Sequence, residues 1–205
     1  FETEIHGMNP TWSEQDFKDI QSAFSSRDNG YLINGINDRD RYYMRHVYGG
    51  MVAAMRYLQS LPEWDGRNLA VQGGSQGGAL ALITAALCKD VTLCVVTHPA
   101  LTDMAGYAEK GRTGGYPNWK NSGILSPQNI KTLAYYDVIN FCRYVKCPVR
   151  MTWGYNDSTC SPTTSYAAWN TLNCPKEPFI TPINEHWTSE TMERQHMEWI
   201  KGKLK

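Results

Sequence analysis

The sequence predicts an α/β fold in which a mostly parallel sheet is flanked by helices. Short β-rich segments alternate with segments whose apolar residues recur every three or four positions, which is typical of strands connected by helices. The 205 residues are 41% hydrophobic and 20% charged. This composition provides enough apolar material for the core of one globular domain.

Four strands and five helices are predicted from these patterns. The predicted strands cover residues 68–72, 91–97, 149–153 and 178–181. Residues 2–5 resemble the tail of a further strand. The predicted helices cover residues 40–60, 78–88, 129–144, 163–172 and 189–204. Residues 101–126 contain several glycines and predict a long connection above the sheet, where a binding wall or an interface is expected.

Composition argues against several classes of partner. Twenty basic residues balance twenty acidic ones, so no net charge attracts nucleic acid or an anionic membrane. The longest apolar run, residues 79–88, has about half of the roughly 20 residues that span a bilayer. Six cysteines lack CxxC spacing, so neither a zinc site nor a dense disulfide framework is predicted. A disulfide between Cys160 and Cys174 stays open, as does the choice between a secreted or periplasmic and a cytoplasmic location.

The strongest motif lies between the first predicted main strand and its helix. Residues 73–78 read Gly-Gly-Ser-Gln-Gly-Gly, which matches the G-x-S-x-G turn that exposes a nucleophilic serine above a sheet. Glycine is expected at Gly73 and Gly77 because a Cβ at either position would collide across so sharp a turn. Ser75 is therefore the candidate nucleophile, and the peptide N–H of Gln76 is the expected first oxyanion donor.

A serine nucleophile requires a histidine base. In a fold with this turn the expected chain order is serine, acid, histidine. His186 fits this order, because it lies in the loop between the last predicted strand and the final helix. Two other histidines also follow the serine: His98 is interpreted as a hydrogen-bonded loop residue, and His196 as a partly packed helix residue.

The histidine in turn requires an acid that orients it. Asp157 follows the predicted strand 149–153 through a short turn that starts at Gly154, and such a turn holds a carboxylate rigidly. Asp157 is therefore the candidate acid. Asp103, which follows the preceding strand, is the alternative.

These residues resemble the acetyl xylan esterase and cephalosporin C deacetylase family (carbohydrate esterase family seven) of the α/β-hydrolase superfamily. Four blocks carry the resemblance: residues 38–45, residues 73–78, residues 132–137, and residues 154–157 with 160–163. Matched by motif, the nucleophile of the family is Ser75, its acid is Asp157 and its base is His186.

The resemblance implies a serine esterase that removes O-acetyl groups from acetylated xylan, xylo-oligosaccharides or similar small acetyl esters. It also implies a ring-like homo-oligomer, and the mechanism requires no metal or organic cofactor. Two departures affect the surroundings of the site: residues 5–9 replace the usual Arg-Gly-Gln, and Glu185-His186-Trp187 replaces the usual Gly-His-Glu.

Two other functions stay open. A serine peptidase of the prolyl-oligopeptidase kind shares the glycine-rich turn and the order of the three residues. A noncatalytic carbohydrate-binding module is suggested by seven Trp and twelve Tyr, although such modules are normally all-β.

The resemblance also implies that the domain has further strands on the N-terminal side of this chain. In this superfamily the third strand lies beside the nucleophile strand, and the match places that third strand before Phe1. We therefore expect residues 1–205 to be one α/β-hydrolase catalytic domain that lacks its N-terminal strands and is a portion of a longer protein. The second oxyanion donor is expected in the same upstream stretch.

Overall fold

The computed structural model describes residues 13–25, 30–106, 111, 116–119 and 122–204. The predicted strand tail at residues 2–5 lies outside the described residues. The strands are β1 (Ala70–Gly74), β2 (Leu93–Thr97), β3 (Val149–Gly154) and β4 (Lys176–Thr181). The helices are α1 (Glu14–Ser25), α2 (Met44–Ser60), α3 (Gln76–Leu87), α4 (Pro127–Tyr136), α5 (Val138–Cys142), α6 (Pro162–Thr171) and α7 (Glu190–Lys203). A short 3₁₀ helix covers Tyr31–Ile33.

The four strands form one parallel sheet in the order β1-β2-β3-β4. The α/β class, the parallel sheet and all four main strands predicted from the sequence are confirmed, each strand within two residues at either end. Because parallel strands end at the same edge of a sheet, the loops that follow β1 to β4 meet there. That edge brings the predicted site residues together.

The core lies on both faces of β2, all of whose residues are buried. Cys94 and Val96 face the main core, whereas Leu93 and Val95 pack against Ile200 of α7. Helix α3 is buried continuously from Gly78 to Ala85 because it packs against the sheet, α2 and α5. None of the described helices has both the length and the apolar composition that crossing a membrane requires.

Two helical predictions differ from the structure. Helix α1 was not predicted, although Ser13 and Asp16 form a capping arrangement in which the Asp16 carboxylate accepts the Ser13 N–H at 2.8 Å. The single helix predicted over 129–144 is instead two helices, α4 and α5. They are separated at Asp137, which has extended backbone angles and whose carboxylate caps α5 by accepting the Ile139 N–H at 3.0 Å.

Candidate active site

Ser75 occupies the sharp turn between β1 and α3. Its backbone angles, φ 55° and ψ −120°, lie in a region that residues with a side chain rarely adopt. The turn is held by the end of β2: the Ser75 N–H donates to the Thr97 carbonyl at 2.9 Å, and the Ser75 carbonyl accepts the Ala100 N–H at 2.9 Å. These bonds fix the serine hydroxyl at the edge where the strands end.

The glycines around Ser75 have different roles. A Cβ on Gly73 would lie 2.2 Å from the carbonyl oxygen of Gly77, and a Cβ on Gly78 would lie 2.9 Å from the carbonyl oxygen of Thr97. A Cβ on Gly77 would have no heavy atom within 4 Å. The predicted collision is therefore confirmed at Gly73 and wrong at Gly77. The backbone of Gly77 is what a Cβ at Gly73 would strike, whereas a Cβ on Gly77 itself would point into open space.

The structure joins the three predicted residues by hydrogen bonds. The Ser75 Oγ lies 3.0 Å from the His186 Nε2, and the His186 Nδ1 lies 2.9 Å from the Asp157 Oδ2. In the tautomer that this arrangement favours, Nδ1–H donates to the carboxylate and Nε2 accepts from the serine hydroxyl. His186 is partly accessible, with 27% of its side chain exposed, whereas the Asp157 side chain is fully buried.

Local bonds aim the Asp157 carboxylate at His186. Its second oxygen, Oδ1, accepts the peptide N–H groups of Thr159 at 2.9 Å and Cys160 at 2.7 Å. The alternative acid, Asp103, lies elsewhere: its N–H donates to the Asp137 carboxylate at 3.0 Å, and its own carboxylate lies against Gly106. The carboxylate that accepts the hydrogen bond from the His186 Nδ1–H is that of Asp157.

Asn184 connects the loop that carries the candidate acid to the loop that carries the candidate base. Its carbonyl oxygen accepts the Asn156 N–H at 3.1 Å, and a Cβ on Gly154 would stand 2.1 Å from the same oxygen. The Asn184 side chain is buried and contacts the Met192 Sδ at 3.3 Å. Glycine is required at position 154 because the two loops touch through their backbones.

His98 belongs to the site, although the sequence indicated only a loop histidine. It follows β2 with a φ of 32°, and its ring centroid lies 4.2 Å from that of His186, with the rings tilted by 44°. Burial, followed by the neighbouring His186, lowers the pKa of His98 to about 4. At neutral pH a buried, uncharged ring thus packs on the face of the candidate base. Its position at the end of the strand next to β1 was the one available signal.

Gln76 begins α3, so its N–H lacks a partner within the helix and is a suitable oxyanion donor. The Gln76 side chain donates to the Tyr31 hydroxyl at 2.5 Å. Burial raises the pKa of Tyr31 to about 12, so its phenol is neutral. Tyr31 was not predicted to belong to the site, and it reaches Gln76 from the short 3₁₀ helix Tyr31–Ile33.

The cysteines are unpaired with one another, and clustered potential metal ligands are few among the described residues. All six cysteines are reduced thiols; Cys160 lies beside Asp157, whereas Cys174 precedes β4 at the opposite edge of the sheet. The pairing of Cys160 with Cys174 that the sequence left open is therefore excluded. Within the described part of the chain, the one group of three or more potential metal ligands within 4.8 Å of one another is His98, Asp157 and His186, two of which are hydrogen-bonded to each other.

A serine lies in a strained strand-to-helix turn at the carboxyl edge of a parallel sheet. It is hydrogen-bonded to a histidine, which is hydrogen-bonded to a buried carboxylate. The fold and this arrangement place the protein in the α/β-hydrolase class. More specifically, the chain belongs to the acetyl xylan esterase family, whose model (AXE1) matches residues 5–203. The resemblance stated from the sequence is thereby confirmed.

Similar proteins support the same family. The chain is 55% identical to the acetyl esterase Axe7A of Xylanibacter ruminicola over 205 residues, which are 100% of this chain and 46% of that protein. The acetyl xylan esterase from Paenibacillus sp. R4 is 32% identical with a TM-score of 0.79, covering 86% of this chain and 58% of that one. Acetyl xylan esterase 1 from Thermoanaerobacterium sp. JW/SL YS485 is 26% identical with a TM-score of 0.76, covering 84% and 57%. The chain thus spans about half the length of these relatives.

A more distant likeness shows the fold alone. The acylaminoacyl peptidase of Pyrococcus horikoshii has a TM-score of 0.62 at 15% identity, covering 80% of this chain and 28% of that one.

Proposed function

We propose that this chain carries the nucleophile, base and acid of a serine esterase that removes O-acetyl groups from acetylated xylan, xylo-oligosaccharides or similar small acetyl esters. The observation that supports it best is the continuous hydrogen-bonded series Ser75–His186–Asp157 in a member of the acetyl xylan esterase family.

The proposed reaction has two halves. The Ser75 Oγ attacks the acetyl carbonyl while the His186 Nε2 takes its proton, and Asp157 stabilises the imidazolium that forms. The developing oxyanion accepts the Gln76 N–H. His186 then protonates the departing sugar oxygen, which leaves an acetyl-serine. Water that His186 deprotonates hydrolyses this ester and regenerates Ser75.

An exposed tryptophan close to the proposed base in the chain indicates what kind of alcohol the ester contains. Trp187 directly follows His186 in the chain and is 47% exposed, so a large, flat apolar ring is accessible one residue from the proposed base. An indole can cover the apolar face of a ring-shaped ligand while its N–H stays in water. This supports a sugar, not a simple alkyl group, as the alcohol portion.

The test uses the full-length protein with acetylated xylan and p-nitrophenyl acetate. Ser75→Ala is expected to lower kcat on the order of 10⁶-fold, as in a comparable triad enzyme. Ser60→Ala, at an exposed serine that ends α2, is the matched control and should leave kcat unchanged. Esterase activity retained in the Ser75→Ala protein would exclude the serine mechanism.

The two alternative functions have less support. The peptidase kind shares this fold, but the likeness at 15% identity carries no argument about substrate. Hydrolysis of an aminoacyl-proline anilide at rates matching the acetyl esters would favour it. An all-β carbohydrate-binding module does not fit the parallel sheet and its helices.

We also propose that a further strand completes the sheet beside β1. Among the described residues β1 pairs with β2 alone, and its residues Ala70, Gln72 and Gly74 are exposed. A strand that carries the nucleophile is poorly placed at an open edge. The domain would then extend beyond this chain, and the added part would supply the second oxyanion donor. Full esterase activity and cooperative unfolding of residues 1–205 alone would contradict this.

The homo-oligomer stays a prediction. Light scattering coupled to size-exclusion chromatography of the full-length protein tests it, and a monomeric mass would contradict it.

A further inference from the structure

A Cys-Pro dipeptide precedes each of the last two strands. The dipeptides are Cys147-Pro148 before β3 and Cys174-Pro175 before β4. The strands that they introduce are parallel neighbours, and their first residues, Val149 and Lys176, lie opposite each other. Cys147 and Cys174 therefore occupy equivalent positions, each two residues before the same paired position of the sheet.

The hydrogen-bond ladder extends to these dipeptides. The Val149 N–H donates to the Pro175 carbonyl at 2.9 Å, and the Cys94 N–H donates to the Pro148 carbonyl at 3.0 Å. Pro175 has no N–H with which to continue the ladder. The chain bends at both cysteines, so the two segments leave the sheet in the same way. The ladder thus reaches the residue that directly follows Cys174.

Both thiols lie on one face of the sheet. Residues two apart in a strand share a face, and Val149 points into the main core, against which both cysteines also pack. Cys147 is 7% exposed, whereas Cys174 is half-buried and reachable from solvent. Burial and then the nearby Cys174 raise the pKa of Cys147 to about 12, which agrees with two thiols in proximity.

The usual spacing of neighbouring strands falls within the range that a disulfide requires. Neighbouring strands lie about 4.8 Å apart, and a disulfide requires a Cα separation of about 4.4–6.8 Å. Cys94 and Cys142 are also buried in the same core. Within the described residues, however, no three of these thiols approach within 4.8 Å of one another. A pair of thiols is therefore better suited to a disulfide than to a metal ion.

We propose that Cys147 and Cys174 are a disulfide site that a low-molecular-weight disulfide, such as oxidised glutathione, can close. The Cys174 thiolate attacks one glutathione sulfur, breaks its S–S bond and releases one reduced glutathione. The Cys147 thiolate then attacks the Cys174 sulfur of the mixed disulfide and releases the second. The two protein thiols lose two electrons and two protons in total, and both go to glutathione.

The position of the pair predicts which property changes. The cysteines precede the strands, whereas Ser75, Asp157 and His186 follow them, so the disulfide lies at the edge opposite the site. Oxidation should leave kcat/KM for acetyl esters unchanged. It should raise the Tm by roughly 5–10 °C, since the bond closes a loop of about 28 residues in the unfolded chain.

The experiment uses the full-length protein, fully reduced and then incubated with oxidised glutathione. Mass spectrometry of non-reduced peptides should find Cys147 linked to Cys174, and dithiothreitol should reverse the Tm increase. Cys174→Ala should abolish both the linked peptide and the increase. Cys88→Ala, at another half-buried cysteine, at the end of α3, is the matched control and should keep both.

Peptide mapping of the wild-type protein decides the proposal even if a variant folds poorly. Cys174 modified by glutathione while Cys147 stays reduced would overturn it, as would a Tm increase that persists in Cys174→Ala.

Discussion

The turn at Ser75 depends on the absence of a side chain at Gly73. A Cβ there would lie 2.2 Å from the carbonyl oxygen and 2.3 Å from the carbonyl carbon of Gly77, whereas real Cβ atoms essentially never approach within 3.0 Å. Relief requires the end of β1 and the first turn of α3 to separate by roughly 1 Å. Ser75 and the Gln76 N–H lie between these two elements, so both would move.

We therefore expect Gly73→Ala to reduce both catalysis and stability. A displacement of about 1 Å at reacting groups lowers the rate about 10²-fold. Overpacking by one methyl group costs about 1–3 kcal/mol, which corresponds to a Tm lower by roughly 2–12 °C. Both quantities are measured on the full-length protein, with p-nitrophenyl acetate as substrate and circular dichroism as the probe of unfolding.

Gly77→Ala is the matched control, because it adds the same methyl group within the same motif. Its Cβ would have no heavy atom within 4 Å, so the rate should stay within about twofold of the wild type and the Tm within about 2 °C. Equal damage from the two substitutions, or a fully active Gly73→Ala protein, would refute the steric explanation.

Asp157→Asn should lower kcat on the order of 10⁴-fold, because an amide does not hold the required histidine tautomer, whereas Asp103→Asn should stay within a few-fold of wild type. Comparable losses for both would contradict the choice of acid. If the site is shaped for the acetyl group that the proposed function requires, the kcat/KM for p-nitrophenyl acetate should exceed that for p-nitrophenyl octanoate about 10-fold or more, since overpacking costs about 1–3 kcal/mol. Equal values would indicate a lipase-like site. The free energy of unfolding should fall as the pH falls from about 6.5 to about 4, because burial lowers the pKa of both His98 and His196 to about 4 and the unfolded chain binds protons that the folded chain does not. At pH 4, each histidine lowers the free energy of unfolding by on the order of 3 kcal/mol relative to neutral pH. His196→Gln should therefore flatten the pH dependence measured by urea unfolding. An unchanged slope would show that the burial of His196 is not the cause.

The parts of the fold that the sequence could predict were those with strong local signals. The strands were found because each is a short β-rich run, and the turn at Ser75 because four glycines around a serine between a strand and a helix are rarely accidental. The helix break at Asp137 was missed because it depends on a tertiary contact, in which the carboxylate accepts the N–H groups of Asp103 at 3.0 Å and Met104 at 2.7 Å. Helix α1 carries a local signal, the capping arrangement of Ser13 and Asp16, and could have been predicted from the sequence.

The site residues likewise fall into those with a signal in the sequence and those that only the tertiary structure brings to the site. Chain order was enough to select Ser75, Asp157 and His186, which the structure brings within hydrogen-bond distance. His98 and Tyr31 were not selected, because they reach the site only through the packing of β2 and of the loop before α2. His196 was expected to be partly packed and is completely buried, since its helix α7 covers the sheet where β2 and β3 end.

The backbone contact at Asn184 determines how this site can move. Because the loops of the acid and the base touch through the carbonyl of Asn184, a displacement of one loop carries the other with it. Thermal motion should therefore preserve the Asp157–His186 separation and vary the His186–Ser75 separation. Random mutagenesis near these loops would then alter the first proton transfer more readily than the orientation of the imidazole. In a laboratory evolution experiment, variants with altered substrate range should arise mainly around Tyr31, which contacts Gln76 and does not belong to these two loops.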